Sequence, residues 1–468
     1  HNSDLNAILQ TISRLKPHLH SPHLEVLESY ERSILLHLGD LPKLTALWLD
    51  QYENQGMPSH ELWQHLQSPA YLTATTNISD FVDEDPWLEL LGLLHDFEHD
   101  DQDWHQTIRY WQEKNPKHPG HTWLNDLENI HPIHKIGFLL PQTGPYQHIS
   151  QQIQEGFVYQ QLLKKGFEEV RFYDSSHQPI DQLYEQAIQD GMDLIVGPFE
   201  KDQMELLKST NLKRPTIFLQ DSASHFSDHA YFLDLSRSGE IKKLAQHAIT
   251  QGYSRALILS TNEEWSQKGQ QNIEQIWLSH DLPQPTFIQI PPELYTYAEI
   301  FEEFLGIKAA KLRVKSLETS LHQTLTTSFD FQPSFDVIFL LTNAKQTKLL
   351  NALIHFYGLD HVGVFSTSMI NHQPIDPTNK DQLKHLIFSD SLYYQNNPGI
   401  DMSQRLKHLG HDLYYLTHHF NRFNRIDDFV HQGRSGLFSL RGQHWILEHQ
   451  LLRYHRATIE PIFTFETN

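Results

Sequence analysis

At 468 residues the chain is too long for one ordinary core, and at about 150 residues per domain it should fold as several units. Hydrophobic residues at 39% suffice to bury cores, which excludes global disorder; the absence of cysteine excludes disulfides, thiolate metal sites and a cysteine nucleophile. The formal charge of −22, with no basic stripe along the chain, excludes nucleic acid as a partner, because such a surface repels polyphosphate.

The opening residues, HNSDLNAILQ, carry no basic-then-apolar secretion signal, and no run approaches the ~20 apolar residues of a membrane-spanning helix. A lipid-bearing cysteine, if the protein has one, precedes this chain. From Asp4 to about Leu127 apolar residues recur at helical spacing, as in Leu5, Ile8, Leu9, Ile12 and Leu15, then Leu24, Leu27, Ile34 and Leu35. Breaks at KPHLHSPH, HLGDLP and QGMPSH divide the segment into short helices joined by tight turns. This predicts an all-helical, tetratricopeptide-like domain over residues 1–131. Trp48, Trp63, Trp87, Trp104 and Trp111 are unevenly spaced, so no exact repeat is legible. Residues 1–132 hold 21 acidic against 7 basic residues, a net −14 that leaves −8 for the remainder. Solubility accounts for this excess, with a basic protein partner as the functional alternative.

The period changes at Ile133. Ile136–Leu140 reads as a buried strand, Pro141 to Pro145 as a rigid turn and 149–164 as a helix. The unit repeats through EEVRFYD, a helix over 180–190, the strand DLIVG, a helix after Pro198 and the strand TIFLQ. A second series begins with a strand near Ala230 to Asp234, a helix over 239–251, RALILST, a helix over 263–277 and TFIQI. After an irregular charged helical stretch over 308–325 it resumes with FDVIFLL, a helix over 344–357 and HVGVFS. Such alternation predicts parallel βαβ units with right-handed crossovers, here two α/β lobes over residues 132–468. A helix over 411–423 and a closing hairpin over 436–462 end the chain.

No dinucleotide, P-loop or nucleophile-elbow motif follows the first strand. HDFEH places His95, Glu98 and His99 in the formal H-x-x-E-H zinc arrangement, but 33 histidines make chance pairs at that spacing expected. His18, His20 and His23 lie in a Pro-broken stretch that reads as an interhelix loop. Neither a metal nor a cofactor is expected, and no catalytic residue is assigned. Loops at the C-terminal strand edges are where ligands bind in doubly wound lobes. They nominate Thr143, Gly144, Ser175, Pro198, Phe199, Thr367 and Ser368 as lining a crevice between the lobes. Hydroxyls, amides and an aromatic ring suit binding rather than catalysis, while chain turning is the structural alternative for each.

KIGFLLPQTGPYQHISQQIQEGFVYQ, then FYDSS, then AIQDGMDLIVGPFEKDQMELL, resembles the opening of the type I periplasmic-binding-protein domain, in particular that of the LpoA (LppC/YraM) penicillin-binding-protein activators. The order of blocks carries the resemblance: a Leu-Leu-Pro-x-x-Gly-Pro loop, a Gly-Phe helix, a Tyr-Asp strand end and Asp-Gly-x-Asp-x-Ile-Val-Gly-Pro before Lys201. RALILSTNEEWSQKGQQNIEQIW, FDVIFLLTNAKQTKLLNALIHFYGLDHVGVFSTSMI and GLFSLRGQHWILEHQLLRY continue it, and IRYWQEKNPKHPG matches the end of the family's helical domain. The resemblance covers about Trp104 to the end; the chain departs from the family in a shorter helical part and at Gln142. It implies a helical domain ahead of a two-lobed periplasmic-binding-protein type I-like domain. It further implies a periplasmic lipoprotein, anchored to the inner leaflet of the outer membrane through lipid outside this chain. The implied role is a non-catalytic regulator that binds a class A penicillin-binding protein, a bifunctional peptidoglycan synthase, and stimulates it, with peptidoglycan as a further contact. Binding of a small molecule in the interlobe crevice is the alternative.

Overall fold

The computed structural model describes residues 2–18, 23–38, 40–68, 71, 85–95, 101–124, 133–208, 210–222, 227–325, 333–373, 383–426, 429–455 and 458–462. They form two units, one from 1–235 and 403–447, the other from 236–402 and 448–462, so the chain passes between them after Leu235, Met402 and Leu447.

Unit 1 opens with helices α1 (Asn2–Leu15), α2 (His23–Leu38), α3 (Leu41–Asn54), α4 (Ser59–Leu66), α5 (Pro86–Leu94) and α6 (Asp101–Lys114). Each of the first three packs on the next, and α5 packs on α6. Local chemistry sets two of the starts: the Asp40 and Asp85 side chains accept from the Lys43 and Trp87 N–H groups, with Pro42 and Pro86 in the first turns. Indoles fill the interior, where Trp63 stacks on Trp123 at 5.2 Å and Trp87 meets His118 edge-on at 4.3 Å.

Unit 1 continues with β1 (Lys135–Leu140), α7 (Gln147–Lys164), β2 (Glu169–Asp174), α8 (Ile180–Gln189), β3 (Leu194–Val196), α9 (Lys201–Lys208), β4 (Thr216–Phe218) and β5 (Ala230–Leu233). Unit 2 begins with α10 (Ser238–Thr250), β6 (Ala256–Ser260), α11 (Glu264–Ser279), β7 (Thr286–Gln289), α12 (Tyr297–Phe304) and α13 (Ile307–Leu321). It goes on through β8 (Val337–Leu341), α14 (Ala344–Phe356), β9 (Gly363–Ser366), β10 (Leu386–Asp390) and α15 (Leu392–Asn396). Next come α16 (Met402–His418), α17 (Phe420–Arg425), β11 (Val430–Gln432), β12 (Leu437–Arg441) and β13 (His444–Glu448) in unit 1, then β14 (Gln450–His455) and β15 (Thr458–Pro461) in unit 2.

Both sheets follow one plan. The parallel order is β2-β1-β3-β4-β5 in unit 1 and β7-β6-β8-β9-β10 in unit 2. Successive side chains of a strand point to opposite faces, and the burial obeys that period. In unit 1, Ile136, Phe138, Leu140, Leu194, Val196, Ile217 and Leu233 enter one core, while Leu139, Ile195, Phe218 and Phe232 enter a second. In unit 2, Leu257, Leu259, Ile338, Leu340 and Phe388 divide in the same way from Ile258, Val337, Phe339, Leu341 and Phe365. Strands covered on both faces read as continuous apolar runs, as parallel strands do.

The first of these cores also contains Leu35, Trp48, Leu90 and Trp111, so the helical segment and the unit 1 sheet share one interior. The expected boundary at 131/132 lies outside the described residues; Leu124 and Ile133, on either side, belong to that same core. Leu124 forms a β-bridge with Ile426, and the fully buried Arg422 guanidinium donates to the Leu94 carbonyl at the end of α5 (3.2 Å).

The two α/β lobes and the helical start agree with the sequence reading, and three of its elements are corrected. The helix expected over 411–423 starts at Met402 and breaks at His419, where Phe420 and Phe423 turn into the core. The stretch over 308–325 is a regular helix, α13, as far as Leu321. The closing segment is no simple hairpin: β13 pairs in parallel with β5, whereas β14 pairs antiparallel with β10 and β15 with β14. Alternating apolar residues announce strands but not the sheet that receives them. Strand β10 and helix α12 had no counterpart in the reading. Among the described residues no helix is long and apolar enough to cross a membrane.

The return of α16 to unit 1 depends on two glycines. A Cβ on Gly156 of α7 would stand 1.9 Å from the Lys407 carbonyl oxygen, and one on Gly410 of α16 would stand 2.0 Å from that of Ile153. Neither backbone can yield without separating the helices. Gly156→Ala should therefore destabilise unit 1 by about 1–3 kcal/mol, the range of core overpacking. Denaturant unfolding checks this.

Candidate functional site

The nominated residues of unit 1 all stand beyond the C-terminal ends of its strands. The order β2-β1-β3 reverses direction at β1, and at such a switch the loops on either side splay apart and leave room for a ligand. Asp174, ending β2, holds the loop after β1 in place: its Oδ1 accepts from the N–H groups of Gln142 and Ser176, both at 2.9 Å. The Ser176 hydroxyl accepts from Gln142 N–H (2.9 Å) and Thr143 N–H (3.0 Å). Burial alone would raise the Asp174 carboxyl, but the donors at Ser176 and Gln142 outweigh it and set it below the usual range.

Within this frame Thr143 and Gly144 are exposed, Ser175 and Pro198 buried, and Phe199 half-buried. Gly144 takes φ +82°, which a side chain would strain. Thr143 Oγ1 lies 3.1 Å from His177 Nε2. Phe199 meets Tyr146 edge-on at 5.2 Å and so ties the loop after β3 to the loop after β1. The Ser175 carbonyl accepts from Gln203 Nε2 (3.1 Å), while its hydroxyl has no hydrogen-bond partner among the described residues. Five of the seven nominated residues thus share one sheet edge.

Thr367 and Ser368 follow β9 in unit 2, and both are buried. Ser368 is committed inward, with its N–H donating to Glu240 Oε1 and its hydroxyl to Glu240 Oε2 (3.2 Å). Burial pushes the Glu240 carboxyl up to about 7, against the pull of Arg237 and of the Ser368 N–H, with Asp390 adding to the rise. Asp390 is itself fully buried and accepts from Asn371 Nδ2 (2.9 Å) and Ser391 N–H (2.8 Å). Arg237 lies over the Trp265 ring, 5.0 Å from its centre. The sequence reading missed this polar group, although a signal was present. Glu240 occupies the same helical stripe as Leu244 and Ala248, where an acidic residue must find internal donors.

Of the histidine groups, Glu98, His99 and His20 lie outside the described residues. His95 ends α5, with Nε2 3.0 Å from Gln67 Oε1 and its ring stacked on Phe429 at 5.1 Å. Burial, with His431 and Arg422 nearby, lowers it to about 3. Burial likewise lowers His431 and His408 to about 4. His18 and His23 are exposed, and among the described residues no three metal-ligating side chains are grouped to hold an ion.

These groups give the two units opposite pH responses. The unit 1 imidazoles have folded values below their unfolded 6.5, so the unfolded chain takes up protons first and unit 1 loses stability as pH falls from 6.5 towards 4. Glu240 has a folded value above its unfolded 4.5, so its contribution is present below 4.5 and is lost as pH rises through 7. Glu240→Gln should abolish the second dependence and leave the first intact. Unfolding midpoints measured from roughly pH 5 to roughly pH 8 decide it; an unchanged unit 2 profile would contradict the assignment.

The family model described as LppC putative lipoprotein matches residues 59–455. A penicillin-binding protein activator LpoA of Vibrio antiquarius is 22% identical over 389 residues, covering 76% of this chain and 64% of the relative. One of Vibrio vulnificus is 21% identical over 434 residues, covering 84% and 71%. The chain thus spans about two thirds of the length of these relatives. Among solved structures, full-length LpoA from Haemophilus influenzae superposes with a TM-score of 0.53 at 15% identity, over 98% of this chain and 86% of that one. The LpoA (YraM) C-domain from the same organism, titled a regulator of PBP1A, gives 0.52 at 16% identity over 70% of this chain and 100% of its own.

Proposed function

This chain belongs to the LppC putative lipoprotein family, and from that membership we propose that it is a non-catalytic regulator which binds a class A penicillin-binding protein and stimulates its peptidoglycan synthesis. The observation that carries the proposal is the family match over 59–455, which takes in α4 to α6 of the helical segment and both sheets apart from β15. Relatives carrying the name penicillin-binding protein activator support the same reading. The proposed organisation is a helical domain over 1–131 and a periplasmic-binding-protein-like domain over 132–468. The proposed location is the periplasm, on the inner leaflet of the outer membrane, with peptidoglycan as a second contact.

The mechanism is a population shift. An activator that binds the synthase's active conformation more tightly than its inactive one moves the equilibrium by the ratio of the two affinities, with no chemistry on the activator. A tenfold preference corresponds to about 1.4 kcal/mol. The strand-edge residues of each unit have no step to perform in such a scheme, which agrees with the inward commitment of Ser368.

The test is capture of detergent-solubilised class A penicillin-binding proteins on the immobilised chain, followed by glycan-polymerisation and crosslinking assays with and without it. Binding with a severalfold rise in synthesis is expected. Failure to bind any class A enzyme of the source cell would remove the proposal.

A further inference from the structure

Imidazoles converge where the helical segment meets the rest of unit 1. His95 ends α5, His408, His411 and His418 lie on α16, His419 follows it, and His431 lies in β11. The Tyr415 ring sits among them, with its centre 5.1 Å from that of His411, 5.5 Å from His431 and 6.5 Å from His419. His418 and His419 are 4.6 Å apart. The helical segment contributes His95, and three contacts hold the seam beside it. The His95 ring stacks on Phe429, the Arg422 guanidinium donates to the Leu94 carbonyl (3.2 Å), and Leu124 bridges to Ile426.

The surrounding charges cannot balance added protons. Facing His95 are Gln67 from α4, His431 from β11 and Arg422 from α17. His431 faces Asp412 and His411, and His408 faces Arg434, Arg405, His411 and Asp412. Among the described residues Asp412 is the one carboxylate facing these three imidazoles, and its oxygens already accept from the Arg434 and Ser435 N–H groups. Asp96, Glu98, His99, Asp100, Asp427 and Asp428, close by in the chain, lie outside the described residues. The C-terminal end of α5 would favour a cation, but Arg422 already occupies it. A proton on His95 therefore repels the guanidinium that holds Leu94, and one on His431 repels both His95 and His411.

We propose that this cluster is an acid-released latch: proton uptake at His95 and His431 frees the helical segment, α1 to α6, from the rest of unit 1, whose α/β body stays folded. The seam is thus the first part of unit 1 to open. While latched, His95 is held at about 3 and His431 at about 4 by their enclosure and neighbouring cations or imidazoles. Released into water, each returns to about 6.5. The latched values lie below the released ones, so latching is at full strength above 6.5 and weakens as pH falls. Each imidazole weakens it about tenfold per pH unit below 6.5, and the two together about a hundredfold, down to about pH 4. The inference stands on unit 1 alone and does not depend on the synthase-activator reading.

The experiment uses the full chain, which has no cysteine of its own to compete for labels. Spin labels at Tyr110→Cys on α6 and Tyr159→Cys on α7, both exposed, report across the seam. A second pair, Tyr159→Cys with Leu206→Cys on α9, reports within the α/β body. The distance across the seam should be narrow at about pH 7.5, broaden by about pH 5 and recover on neutralisation, while the second pair stays narrow throughout. His95→Gln with His431→Gln should move the opening at least about one pH unit lower. If that double variant does not show the parent distance at about pH 7.5, each single variant is measured instead, and each should move the opening by about half as much. An unchanged seam distance down to about pH 4, simultaneous broadening of both pairs, or opening of the glutamine variants at the parent pH would overturn the proposal.

Discussion

The contact between α7 and α16 is the constraint on which unit 1 depends. Helix α7 follows the first strand and α16 enters only after the whole of residues 236–402, so nothing local holds them together. Backbone meets backbone at Gly156 and Gly410, an approach open only to residues without a Cβ. Once seated, α16 presents the buried Asp412, whose two oxygens accept from the Arg434 and Ser435 N–H groups (2.9 and 2.7 Å). That hold fixes the turn into β12, which in turn delivers β13 to the edge of β5. Five parallel strands thereby gain a sixth from a distant part of the sequence. Tyr414 on the same helix adds a hydrogen bond from the Gly166 N–H (3.0 Å), fixing the far end of α7 as well.

The helical segment is attached by the same economy of few contacts. Its indoles share a core with the unit 1 sheet, and the buried Arg422 reaches one of the carbonyls that an α-helix leaves unsatisfied at its end. Imidazoles crowd this junction, with His95 and His431 buried and held neutral far below the usual histidine range. Unit 2 holds the opposite kind of group, a buried carboxyl raised towards neutrality on the helix that follows the first chain crossing.

Nothing in the proposed activator role requires chemistry at the strand edges, and in unit 1 these edges are stabilised mainly by their own loops, through Asp174 and Ser176.

Much of this was legible in the residues themselves. Helical spacing up to Leu127, apolar runs such as LIV and VIFLL, and the turn residues between them report local preferences, and local preferences survive into the fold. The blocks around Gly156 and Gly197 carried the family. What the tertiary structure decided is where elements go after the chain has travelled far. GLFSLR and QLLRYH have the same alternating pattern, yet one strand joins unit 1 and the other unit 2, because alternation sets which faces a strand buries and not which edge it meets. Buried charge was decided in the same way. Glu240 is one of 58 acidic residues in the sequence, and only its burial, with Asp390 nearby, raises its pKa, against the pull of Arg237 and Ser368. The seven nominated loop residues were placed at strand ends by pattern. Which of them face solvent and which are consumed by internal hydrogen bonds depended on partners distant in sequence, as Ser368 on Glu240 shows.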